Sequence, residues 1–166
     1  MSQSNASTDM ELMLSALGSP NIPNLQPYEH NDDAFFEQFE QSDIPVSYWQ
    51  RHKSHIRMAY IYLTKFGYEE GLSRVRDAIK RYFTAQQIPN TLSTGYHETL
   101  TVVWMRLTNF ILQNYGTAPN SLIFCDQHSS LMNSRNIELF YTHDHLYTEA
   151  AKQDFVDPNL MPLPQA

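Results

Sequence analysis

Residues 47–66 read SYWQRHKSHIRMAYIYLTKF and form the longest helical pattern in the chain. From Ile56 to Leu63 this pattern is apolar on nearly every side, and only Arg57 interrupts it. A helix that is apolar all round lies inside a protein rather than on its surface. The sequence therefore predicts a bundle with this helix in the middle, and 166 residues suffice for one such domain.

Further helical patterns lie on both sides of this stretch. A first helix is predicted over about 33–41, with phenylalanines along its buried stripe. Ser47 and Gln50 have the spacing of a capping box for the central helix, and Gly67 suits the left-handed position that ends it. A helix over about 68–87 follows directly, so the two should form an antiparallel hairpin. A fourth helix is predicted over about 97–115.

The C-terminal part contains only shorter patterns, over about 120–128, 135–142 and 149–155. Ser134 and Thr148 have the chemistry of N-caps for the last two. No segment alternates with the two-residue period of a strand. The predicted fold class is all-α, a bundle of four main helices with short C-terminal helices wrapping the bundle.

Residues 1–31 are predicted to be a flexible N-terminal extension, and residues 32–166 a single helical domain. Thr8 and Glu11 have capping-box spacing, but a proline-rich stretch follows the short helix that they would start. The extension is interpreted as a frayed terminus. The alternative is a docking peptide, which makes a protein partner conceivable through this segment.

Composition narrows the classes of partner and compartment. The formal net charge of -7 argues against nucleic acid, because phosphate binding needs clustered Lys and Arg. No apolar run approaches the ~20 residues of a membrane span, and no secretory signal is recognisable. The single cysteine, Cys125, is predicted to be buried and inert, and it fits a reducing compartment. The expected location is the cytoplasm, and the expected ligand is a small molecule.

A candidate site combines His52 and His55, one turn apart on the central helix, with His97 and Glu98 at the start of the fourth helix. If these helices pack side by side, His52, His55 and His97 can converge as metal ligands. Imidazole suits a divalent transition metal such as iron or zinc. The spacing is incomplete as a motif, since Thr101 stands where a zincin helix would have its second histidine.

Two other interpretations of these residues stay open. In metal-free catalysis, His97 would be the general acid or base and Glu98 the carboxylate that orients it. In a purely structural role, the buried histidines would only satisfy backbone or tyrosine groups. His128, His143 and His145 are predicted to be surface residues outside the site.

The blocks Trp49-x-x-His52-x-x-His55-Ile56-Arg57 and Tyr96-His97-Glu98-Thr99-Leu100-Thr101 resemble those of a group of small, mostly bacterial helical proteins of uncharacterised activity. The likeness spans roughly residues 35–164 and includes the proline-rich close of the chain. It implies no activity. The positions that the resemblance marks are His52, His55, Arg57, His97, Glu98, Thr99 and Thr101.

Two hypotheses of function follow. In the first, the protein is a small intracellular enzyme or ligand-binding protein with its histidines around a pocket between helices. In the second, it is a non-catalytic accessory protein whose histidines are structural. The first requires that the imidazole rings share one enclosed space.

Overall fold

A computed structural model describes residues 25–165, and all regular secondary structure in this range is helical. The predicted all-α class is confirmed. The α-helices, in chain order, are α1 (Pro27–His30), α2 (Asp32–Glu40), α3 (Val46–Trp49), α4 (His52–Ala85), α5 (Glu98–Tyr115), α6 (Ser121–Gln127), α7 (His143–Leu146) and α8 (Glu149–Gln153). Two 3₁₀ segments, Ser129–Met132 and Ser134–Leu139, lie between α6 and α7.

Helix α4 reverses direction at Gly67, whose φ of 74° and ψ of -175° are not helical. This backbone region is essentially restricted to glycine. A Cβ on Gly71 would lie 3.0 Å from the carbonyl oxygen of Tyr62, so the second half of α4 begins in close contact with the end of the first. The ring of Tyr82, near the end of α4, lies 5.3 Å from that of Trp49, which comes just before α4 begins, so the second half runs back toward the start of the first as the sequence predicts.

Aromatic side chains hold α2 against both halves of α4. Phe39 has no exposed surface, and its ring centroid lies 4.6 Å from Trp49 and 5.7 Å from Tyr82. The Tyr82 hydroxyl donates to the carbonyl oxygen of Ile44, 2.8 Å away. Burial of such rings contributes roughly 2–3 kcal/mol each, so this cluster is a major source of stability.

Arg57 is fully buried in the first half of α4 and joins segments that precede α4 to the start of α6. Its guanidinium donates to the carbonyl oxygen of Tyr28, the hydroxyls of Tyr48 and Ser121, and the carboxylate of Asp32. Asp32 in turn accepts from the backbone N–H of Ser121 at 2.7 Å. A buried charge is tolerated only with such a complete set of partners.

Residues 25–31, the described part of the predicted extension, include helix α1. Tyr28, inside the predicted extension, packs against the main core and supplies an acceptor to Arg57. The predicted short helix around Thr8–Glu11 falls outside the described residues. Within residues 25–165, no helix is both long and apolar enough to span a bilayer.

Two local predictions were wrong. The capping box of Ser47 is not formed, because α3 ends at Trp49 and α4 begins only at His52, after an extended Arg51. The predicted helix over 135–142 is instead the 3₁₀ segment Ser134–Leu139, and its N-cap is Asn133 rather than Ser134. The Thr148 cap of α8 is confirmed, since its side chain accepts from the N–H of Ala151.

Candidate functional site

His52 lies in the first turn of α4, where its orientation is set by the segment after α6. Its Nε2 is 2.7 Å from the carbonyl oxygen of Leu131. A carbonyl can only accept, so Nε2 carries the proton and Nδ1 is left as an acceptor in the neutral ring. Burial lowers the pKa of His52, and the hydrogen bond to Leu131 only partly offsets this effect.

His55 lies one turn further along α4, with its ring 4.6 Å from the Trp49 ring and 6.3 Å from that of His52. The pKa of His55 is lowered to about 4, first by burial and then by the neighbouring His52, while the backbone of Trp49 opposes both effects. The imidazole is therefore neutral at pH 7. A neutral imidazole has one protonated nitrogen and one acceptor nitrogen, so His55 can accept one hydrogen bond.

Helix α5 closes the site from the other side through Trp104, whose ring lies 4.5 Å from His52. Trp104 and Leu100 are one turn apart on the face of α5 that meets α4. The C-terminal segments supply the remaining walls. Two spaces between these elements contain the histidines.

The larger space is an open cleft of about 720 Å³ between the start of α4, the middle of α5 and the segment from Ser134 to Tyr147. This volume lies within the range of small-molecule sites. Its lining is mostly aromatic and polar, and it includes His52, His55, Trp104, Arg135, His143 and Tyr147.

The smaller space is a recess of about 150 Å³ between the two halves of α4 and the start of α5. It is lined mainly by Trp49, Met58, Ala59, Ile79, Phe83 and Met105. His55, Leu100 and Trp104 line both the recess and the cleft. His55 is therefore the imidazole common to the two spaces.

His97 lies at the N-cap of α5 and uses both of its ring nitrogens within the chain. Nδ1 accepts from the N–H of Leu100 at 3.3 Å, and Nε2 donates to the carbonyl oxygen of Leu146 at 3.1 Å. Burial lowers the pKa of His97, and the nearby Lys152 charge also lowers it. The ring borders the recess but not the cleft, so His97 and His52 line no common space.

Glu98 is paired away from the imidazoles. Its carboxylate accepts from Nε of Arg76 at 2.9 Å and from the hydroxyl of Tyr96. Burial raises the pKa of Glu98, but the hydrogen bonds from Arg76 and Tyr96 outweigh it and hold the pKa below its usual value. The predicted role of Glu98 as the carboxylate that orients His97 has no counterpart in these contacts.

The next residue of this block, Thr99, fastens the C-terminal segment to α5. Its hydroxyl donates to the carbonyl oxygen of Asp154 at 3.0 Å and accepts from the N–H of Val156 at 3.1 Å. Lys152 of the same C-terminal segment donates to the carbonyl oxygens of Thr94 and Tyr96. The contacts of the Tyr96–Thr101 block thus start helix α5 and hold the C-terminal segment against it.

The predicted metal site of His52, His55 and His97 is not found. Over residues 25–165, no group of three or more His, Cys, Asp or Glu side chains is arranged to hold a metal ion. The physical reason is the hydrogen bonding of His97, which leaves neither ring nitrogen available, and its separation from the cleft. Cys125 is buried as predicted, and burial raises its pKa to about 11, so it is a poor nucleophile.

Sequence reasoning missed the contribution of the C-terminal segment to the cleft. His143, predicted to lie outside the site, is an exposed residue at the rim, and its ring is 4.7 Å from Tyr147. Arg135, also at the rim, pairs with Glu138. Arg135 and His143 lie about 80 and 90 positions after His52 and follow irregular segments, so no periodic pattern could have placed them there.

Comparison of the chain with protein-family models, with curated proteins and with solved structures gives no match. The resemblance to a group of uncharacterised helical proteins stays a prediction. The interpretation of the site depends on its geometry alone.

Proposed function

We propose that this protein binds a small polar molecule in the cleft, with His55 as the group that accepts a hydrogen bond or a proton from it. The observation that carries this proposal is the pair of imidazoles, His52 and His55, which line one cleft with their ring centres 6.3 Å apart. The His52 ring donates to the carbonyl oxygen of Leu131, and each neutral ring keeps one acceptor nitrogen.

The chemistry of the pair favours a ligand with a donor. Burial keeps both rings neutral, so they present acceptors rather than a positive charge. A hydroxyl or an ammonium group complements an unprotonated imidazole. Arg135, His143 and Tyr147 at the rim add polar contacts that can select the rest of the molecule.

Acylation with diethyl pyrocarbonate tests whether His55 is a reactive acceptor, because the reagent modifies only unprotonated imidazole. At pH 5 a histidine with the ordinary pKa of about 6.5 is mostly protonated. We expect His55 to react at pH 5 nearly as fast as at pH 7, measured by peptide mass spectrometry against a free histidine peptide. A rate that falls with that of the free peptide would refute a neutral, accessible His55.

Ligand-observed NMR with small hydroxyl- and amine-bearing fragments tests binding. Fragments that bind should protect His55 from acylation and lose affinity in His55→Asn. His30→Asn is the matched control, since His30 is exposed on α1, away from the cleft. The absence of any fragment that binds the wild type but not His55→Asn would contradict the proposal.

A second candidate, a non-catalytic protein with structural histidines, is favoured by the hydrogen bonds of His97 to Leu100 and Leu146. In that case His97→Ala destabilises the fold, whereas His55→Asn changes no ligand affinity because the wild type binds no ligand. The finer architecture, a bundle of four main helices wrapped by the C-terminal helices, belongs to the same proposal. The contacts of Thr99 with residues 154 and 156 support it.

A further inference from the structure

We propose that the recess beside the cleft binds a benzene-sized aromatic ring, and that the ligand carries a hydroxyl that donates to His55. The ligand class is therefore a phenol. This inference rests on the proposed function for the role of His55, and it adds the apolar part of the molecule.

The size and lining of the recess support an aromatic occupant. Its volume is about 150 Å³, the size of a cavity that takes up benzene in a well-studied lysozyme variant. Two tryptophans, Phe83 and the flexible thioethers of Met58 and Met105 line it. Methionine sulfur and aromatic edges make favourable contacts with a bound ring.

The polar side chains along the recess point to one hydrogen-bonding position. Tyr96 donates its hydroxyl to Glu98, and Thr101 donates to the carbonyl oxygen of His97 at 2.9 Å. His97 uses both ring nitrogens. The Tyr96 and Thr101 oxygens keep lone pairs, but an unprotonated imidazole nitrogen is a more basic acceptor than a hydroxyl oxygen. Among the described residues that line the recess, the neutral His55 ring is therefore the strongest acceptor for a ligand, and a phenolic hydroxyl is its complement.

The experiment uses benzene, phenol and anisole as probes of the full chain with ¹³C-labelled methionine methyls. Met58 and Met105 line the recess, whereas Met161 is half exposed in the C-terminal tail and serves as the internal control. We expect all three probes to shift Met58 and Met105 but not Met161. Phenol should bind roughly threefold to tenfold more tightly than benzene, the value of one neutral hydrogen bond. Anisole, which has no donor, should not show this gain.

Variants separate the two parts of the inference. Ala59→Leu fills the recess and should abolish the Met105 shift, whereas Ala85→Leu on the exposed face of α4 should not. His55→Leu should keep benzene binding and remove the advantage of phenol. If either variant fails to fold, the comparison of phenol with anisole on the wild type still tests the donor.

Each result decides one point. No shift at Met58 and Met105 with saturating benzene would overturn the aromatic site, and equal affinities for phenol and anisole would overturn the hydroxyl. Polar fragments that protect His55 would still support the proposed function in either case. If the wild type binds phenol no more tightly than anisole, and His55 also does not react with diethyl pyrocarbonate, both proposals are refuted.

Discussion

The Nη2 of Arg57 lies 3.2 Å from the carboxylate of Asp32, and the guanidinium has no exposed surface. Asp32→Asn leaves this buried cation without its counter-charge. We expect the free energy of unfolding to fall by about 3–5 kcal/mol, the usual consequence of removing one partner of a buried pair. Urea denaturation measures the loss.

The neighbouring Asp33 provides the matched control for that change. It pairs with Lys65, and its side chain is 80% exposed. Asp33→Asn should therefore cost less than about 1 kcal/mol. Equal losses for the two variants would mean that Tyr28, Tyr48 and Ser121 satisfy Arg57 without a carboxylate.

His97→Ala removes the cap of α5 and leaves the carbonyl oxygen of Leu146 without its donor. We expect a loss of about 1–3 kcal/mol in the free energy of unfolding. His97→Asn should recover part of it, because asparagine is a strong N-cap residue. Stability unchanged in His97→Ala would instead indicate that the residue is kept for chemistry.

Protonation of His55 gives the fold a dependence on pH. Its pKa is about 4 in the folded state and about 6.5 in the unfolded chain, so the unfolded state binds the proton first. This contribution to stability is fully present above pH 6.5 and is lost as the pH falls toward 4, with a total of about 3 kcal/mol.

His55→Asn should flatten the stability profile between pH 6.5 and 4, measured by urea denaturation at a series of pH values. His52 and His97 also have lowered pKa values, so part of the slope will remain. A profile of His55→Asn that matches the wild type would show that the ring is not buried in its neutral form.

Gly67→Ala tests the chain reversal within α4. The φ of 74° with an extended ψ is costly for any residue with a Cβ, although no atom lies within 4 Å of the new methyl group. We expect a loss of about 1–3 kcal/mol in the free energy of unfolding from the backbone alone. Ser73→Ala on the exposed face of the same helix should be neutral or slightly stabilising. A neutral Gly67→Ala would imply that the turn relaxes to a helical conformation.

The helical periodicity of this chain predicted the main helices and the hairpin, because the apolar stripes of α2, α4 and α5 are long and Gly67 marks the reversal. This periodicity failed where the conformation of individual residues, rather than an apolar stripe, determines where a helix begins. The start of α4 moved from Ser47 to His52 because Arg51 is extended, a conformation that no capping pattern predicts.

The candidate site was predicted only in part. His52 and His55 do share a cleft, since residues one turn apart on a helix face the same side. His97 does not join them, because its ring is held by hydrogen bonds to the backbone of Leu100 and Leu146. The sequence does not reveal these contacts, so it could not show that His97 is an N-cap rather than a free imidazole.

The single-residue corner at Gly67 also restricts how this chain can change in length. Each residue in an α-helix advances the side chains by about 100°. One inserted residue between Gly67 and Gly71 would turn Tyr82 away from its partners Trp49 and Phe39. Insertions and deletions at this corner should therefore be far less tolerated than in the loop that joins α4 to α5.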